Sequence, residues 1–257
     1  MLKQTDQKTY IYNAHGHALS GHIREPFDQF IEVQAAMSLP TTGGMGRSRV
    51  ENFRFQDYVS FASAETFVSG AKTETDTYTT LVTATVEDLN VMDVVTADRV
   101  IARLASSHKL DEDEPRITVL GSTIENLKIC GCDVHIKYEH EMFLRLNTFE
   151  ILKKEFDGNA GFRKMAADPY FAMQPKVPVD PRGVFLCSLV KEMTIDCGAV
   201  KSAGHCFEVP EFGRVYIGEV LAQYRKRTVT MLRLELGCAV VGTMVGGQGG
   251  GNGHPLP

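Results

Sequence analysis

Four segments of the chain follow one pattern: a small residue, any residue, Val or Ile, two polar residues, Leu, Met or Phe, any residue, then an apolar residue. They are Ser48–Phe55 (SRVENFRF), Ala84–Val91 (ATVEDLNV), Ser122–Ile129 (STIENLKI) and Ser188–Ile195 (SLVKEMTI). Their starts at 48, 84, 122 and 188 lie 36, 38 and 66 residues apart. Two nearly equal spacings are what an internal structural repeat produces.

The pattern constrains the backbone strongly. In the third copy Leu120, Ser122 and Ile124 mark one face ahead of the polar pair, and the apolar positions after it are Leu127 and Ile129. Side chains of a strand alternate faces, so the apolar set changes sides at Glu125-Asn126 unless the backbone corrects it. A β-bulge or a sharp kink makes that correction. The same phase change falls at Glu51-Asn52, Glu87-Asp88 and Lys191-Glu192. Small residues at Ser48, Ala84, Ser122 and Ser188 point to close backbone approach beside each kink. Val86, Leu89 and Asn90 also fit one face of a helix, but the flanking Thr, Val and Ile favour strands. The expectation is four bent strands around one shared core.

The rest of the chain extends this β-rich body. Lys8–Ala18 reads as a strand around Tyr10, Tyr12 and Ala14. Arg214–Gln223 and Thr228–Leu236 read as a hairpin closed by Tyr224–Arg227, with Leu232, Leu234 and Leu236 on one face. Asn147 with Glu150 resembles a capping box, and Phe149, Leu152 and Phe156 follow at helical spacing. Asp157-Gly158-Asn159 ends that helix, a second short helix is expected over Gly161–Ala167, and Pro175, Pro178 and Pro181 make an extended connector. The predicted fold is mainly β: a sandwich or barrel of internally repeated kinked strands, with a helical insertion near 147–168. It forms a single domain over 1–245, with a helical and Pro-rich insertion at 147–181 packed on the β body or reaching to a neighbour. A parallel β-helix is the alternative, although a motif recurring every 36 to 38 residues is widely spaced for one coil. Residues 246–257 read as a flexible Gly-rich tail.

At 257 residues and 43% hydrophobic composition the chain can bury a sizeable core. Its 27 basic residues against 32 acidic ones give a net charge of −5. That balance argues against nucleic-acid or anionic-membrane partners, which need a concentrated positive field. The one basic run, Arg225-Lys226-Arg227, reads as a solvated turn, and the charges of Asp111–Pro115 as a solvated loop. MLKQTDQKTY has no apolar signal region. No run approaches the ~18 apolar residues of a membrane helix. The six cysteines are not the dense framework of a disulfide-stapled secreted domain. The expected location is the cytoplasm.

Three constellations are candidates for chemistry. His15 and His17 point the same way on a strand, and with His22 could form an open zinc or other divalent-metal site, Glu25 serving as a further ligand or base. The plainer reading makes them hydrogen-bonded or solvated polar groups in a Gly-broken strand. Cys187, Cys197, His205 and Cys206, with Cys130 and Cys132, are zinc-type ligands without a C-x-x-C pair, and Cys187 also fits a small buried hydrophobe. His135, His140 and Glu141 have the residue types of an acid–base group or of a polar outer strand face. No nucleophile elbow, phosphate loop or dinucleotide fingerprint is present; Thr41–Gly46 is glycine-rich but lacks the Gly-Lys-Ser/Thr ending. The expected function is therefore a non-enzymatic binding or assembly protein, a self-associating scaffold and homo-oligomer. The alternatives are a metal-dependent, hydrolase-like enzyme using His15, His17 and His22, and a small-ligand-binding β-barrel.

Overall fold

The computed structural model describes residues 9–163, 184–238 and 240–255. The chain opens with strands β1 (Tyr10–Glu25), β2 (Gln29–Gln34) and β3 (Met37–Ser38). A meander of long strands follows: β4 (Gly44–Phe55), β5 (Val59–Lys72), β6 (Thr77–Val91) and β7 (Val95–Lys109). Short strands β8 (Arg116–Thr118), β9 (Thr123–Glu125), β10 (Lys128–Ile129) and β11 (Cys132–Tyr138) lead into helices α1 (His140–Arg145) and α2 (Phe149–Gly158). Then come β12 (Phe185–Ser188), β13 (Val190–Ile195), β14 (Lys201–Ala203) and β15 (Cys206–Val209). Three long strands close the chain: β16 (Gly213–Gln223), β17 (Lys226–Cys238) and β18 (Val240–Pro255).

These strands form two sheets. One runs β14-β15-β16-β17-β18-β1-β2, with β12 on β16 and β3 on β1. The other runs β13-β11-β10-β7-β6-β5-β4, with β8 and β9 on β7. Neighbours pair antiparallel, as β1 with β18 and β6 with β7 do, so the parallel β-helix is excluded. Neither path closes on itself, which makes the fold a sandwich and not a barrel. Val86, Val100 and Leu104 of one sheet and Val229, Leu232 and Met244 of the other belong to one buried cluster.

The phase change expected from the repeat is present, and it runs across whole sheets. In β6 the buried positions are Tyr78, Thr80, Val82, Ala84 and Val86, then Leu89 and Val91. Asp88, between them, has φ 53°. Asn52 of β4 (φ 53°) and Asn126 between β9 and β10 (φ 49°) repeat this conformation. The registers set Asn52 opposite Ala62, Ala62 opposite Asp88, Asp88 opposite Asp98 and Asp98 opposite Asn126. The five residues thus form one transverse row, left-handed in every second strand. Asn and Asp tolerate this region because their short polar side chains bond locally; Asn126 Nδ2 donates to Asp98 Oδ2 at 2.6 Å. Register is unbroken along the row, so the first three copies are kinks without an inserted residue. The fourth copy carries a true bulge: Tyr138 pairs with Val190 but Lys137 with Glu192, leaving Lys191 extra. There the chain also passes from one sheet (β12) to the other (β13), with Ser188 Oγ donating to the Ile217 carbonyl at 3.1 Å.

The facing sheet has its own row, which no sequence pattern announced. Gly218 (φ 63°) lies opposite Met231, Met231 opposite Gly247 (φ 61°), and Gly247 opposite Ala18. Ala35 (φ 49°), directly after β2, continues it. The buried set of β18 accordingly moves from Val240, Gly242 and Met244 to Gly249, Gly251 and Gly253.

Several expectations are corrected. The supposed flexible tail is the strand between β17 and β1, and residues 246–255 sit inside the sheet. Glycine is required there for close packing: a Cβ on Gly253 would lie 2.0 Å from the Tyr10 hydroxyl oxygen. The basic run is not a solvated turn throughout, because Arg227 is 2% exposed. Its guanidinium donates to the carbonyls of Ile117 (2.9 Å), Thr148 (3.2 Å) and Leu146. Burial holds its pKa down to about 10. The acidic loop is not solvated throughout either. Glu114 is buried and accepts from the amides of Phe149 (2.7 Å) and Glu150 (3.2 Å), at the start of α2, where a carboxylate is favoured. The N-cap of α2 is Thr148, one residue beyond the expected Asn147. Phe143, Leu146 and Leu152 bury the insertion against the β body. Residues 160–163 are helical; the remainder of the second expected helix and the proline connector lie outside the described residues.

Candidate functional site

His15 and His17 sit side by side on the outer face of β1, opposite Gly250 and Gln248. Burial lowers the pKa of both, helped by Lys226 at His15 and by His15 at His17. His17 Nε2 lies 3.0 Å from Ser20 Oγ. His22, beyond the transverse row, pairs with Asp28 Oδ1 at 2.6 Å and stacks on Phe30 with ring centroids 4.0 Å apart. Among the described residues no three His, Cys, Asp or Glu side chains are grouped to hold a metal ion. The second constellation is also dispersed. Cys187 and Cys206 are buried, and burial pushes both thiols up to about 12. Cys197 instead joins Cys132 at the edge of the other sheet. His135 is exposed on β11, while His140 opens α1 and stacks on Tyr138.

His205 belongs to a polar network that pattern reasoning missed. Arg233 grips Glu219 through Nε (2.6 Å) and Nη2 (2.8 Å) and reaches Glu235 through Nη1. His205 Nε2 lies 3.4 Å from Glu219 Oε1, and Tyr216 donates its hydroxyl to Glu235 at 3.2 Å. The Arg233 guanidinium also lies 3.7 Å over the Tyr216 ring, a cation–π contact. Burial, with Cys206 and Glu235 nearby, pushes the Tyr216 hydroxyl up to about 12. Both oxygens of Glu219 are engaged, so the network holds charge in place. Glu235 and Arg214 also line an open cleft of about 720 Å³, together with Arg24, Lys201, Glu208 and Glu211. Its three cations and three carboxylates balance. The alternation of Arg233 and Glu235 with Leu232, Leu234 and Leu236 was visible in the sequence; the half-burial of Arg233 and Glu235 against Glu219 and Tyr216 was not.

The most distinctive surface lies where the two sheets end side by side. Among the described residues β4 pairs only with β5, so its other edge presents unpaired backbone over 12 residues. The β2 edge lies beside it, Gln56 Nε2 donating to Gln29 Oε1 at 3.2 Å. Phe27, Phe30, Val33 and Met45 are exposed on this side. Arg47, Arg49 and Arg54 line β4 and pair within the protomer with Glu65, Glu51 and Asp57.

No helix among the described residues is long and apolar enough to cross a membrane. No curated protein and no solved structure matches the chain. A family model matches residues 10–223, from the first residue of β1 to the last of β16. The chain therefore belongs to the family described as Domain of unknown function (DUF8256).

Proposed function

We propose that this protein is a non-enzymatic assembly module that self-associates through the β2–β4 side of its sandwich. The observation that carries the reading is the long unpaired edge of β4, next to exposed Phe27, Phe30 and Val33. An open edge is a template for another strand, and apolar side chains grouped beside it favour a partner that covers them. A second copy fits this edge. In an antiparallel β4–β4 contact with Val50 on the two-fold axis, Arg49 of each copy stands opposite Glu51 of the other. Opposite charges in cross-strand positions stabilise such pairs, and the two-fold operation makes the contact twice.

Native mass spectrometry with charge-swap variants tests this. The unaltered chain is expected as a dimer, Arg49→Glu as monomer, and the Arg49→Glu/Glu51→Arg double variant as dimer again. A monomeric unaltered chain at high concentration, or a dimer indifferent to Arg49→Glu, overturns the proposal.

A further inference from the structure

We propose that Cys132 and Cys197 are a thiol–disulfide exchange site, a reversible bridge that clasps β11 to the chain leaving β13, with Cys130 as an adjacent exchange thiol. The register carries the geometry. Val134 pairs with Ile195 at the end of the ladder, and Cys132 and Cys197 each lie two residues beyond that pair, Cys197 after a bend at Asp196. Directly opposed residues of antiparallel strands have Cα atoms ~4.5–5.5 Å apart, inside the range a disulfide spans. The two thiols lie close enough to shift one another's titration, while the Cys132 thiol donates to the Cys130 carbonyl at 3.8 Å. All three cysteines are free. Cys130 is exposed at the tip of the β10–β11 hairpin, and Cys132 and Cys197 are partly exposed, so a small reagent can reach them.

The electrostatics assign the order of events. The neighbouring Cys132 thiol and the amides of the turn at Ala199 and Val200 lower the pKa of Cys197. The nearness of Cys197, with burial, raises the pKa of Cys132. A thiolate is the attacking species in exchange. With a low-molecular-weight disulfide as oxidant, the Cys197 thiolate attacks one of its sulfurs and expels the other as a thiolate, leaving a mixed disulfide on Cys197. Cys132 then gives up its proton and attacks the Cys197 sulfur, expelling the second small thiolate. The protein loses two protons and two electrons, and one small disulfide becomes two thiols. The bridge closes the chain between Cys132 and Cys197, which holds α1 and α2, and ties down β13, the edge strand of its sheet among the described residues.

The test uses the full chain incubated with glutathione disulfide, then alkylated, digested and mapped by mass spectrometry. The expected product is a Cys132–Cys197 linked peptide that disappears on adding reductant and still forms in Cys130→Ser. In the untreated protein at neutral pH, Cys197 is expected to alkylate several-fold faster than Cys130, an advantage lost in Cys132→Ser. A bridge to Cys130 instead, stable glutathione adducts on both Cys132 and Cys197, or equal alkylation rates would overturn the assignment.

Discussion

Arg227 is the residue on which the packing of the helical insertion turns. It leaves the inner face of β17 and supplies donors to carbonyls at Ile117, Leu146 and Thr148, while Glu114 supplies acceptors to the amides of Phe149 and Glu150. Removing one partner of such a buried set leaves polar groups without water or hydrogen bonds. Arg227→Met is expected to lower unfolding free energy by about 3–5 kcal/mol, measured by urea denaturation. Arg227→Lys recovers little of the loss, since an ammonium lacks the planar fork that spans three acceptors. A variant within about 1 kcal/mol of the unaltered chain would contradict this account. Arg227 was half legible. Its alternation with Val229 places it on the core side, but three consecutive cations at a turn look solvated until the carbonyls that receive it are known.

The element that organises the fold is the transverse row of left-handed residues. It was legible in one sheet because Asn52, Asp88 and Asn126 sit in polar doublets, and the near-equal spacing follows from their falling on every second strand of a meander. The intervening strands carry Ala62 and Asp98 at the row with no positive φ, so they show no motif. In the facing sheet the same positions are Gly218, Gly247 and Ala35, whose identities leave no repeated phrase. Substitutions separate the two kinds of site. Gly247→Val combines a disfavoured φ with a Cβ 3.1 Å from Val100 Cγ1 and is expected to cost about 3 kcal/mol or more in thermal or chemical unfolding. Asp88→Gly keeps the conformation available and is expected to stay within about 1 kcal/mol. Equal costs would mean that backbone conformation is not what these positions select.

At the level of the whole molecule, the β-rich body and its helical insertion were readable from periodicity and capping, because those signals are local, whereas sandwich and barrel were not told apart. Strand order was not readable either. β18 pairs with β1 across the full length of the chain, Tyr10 opposite Pro255, and its glycines resemble a linker until close packing beneath Tyr10 explains them. His15, His17 and His22 form no ligand cluster among the described residues: His22 lies five residues along β1 from His17 and is taken up by Asp28 and Phe30, while His17 turns to Ser20. The family match ends at Gln223, yet β17 and β18 beyond it are central strands, so the folding unit extends past the matched segment. The central claim is that both sheets reverse their buried face at one row each, through left-handed residues in alternate strands. Backbone dihedral angles from NMR chemical shifts of the isotopically labelled protein test it directly. The account predicts positive φ at Asn52, Asp88, Asn126, Gly218 and Gly247, with extended values at Ala62 and Asp98; extended φ at Asp88 and Gly247 would contradict it.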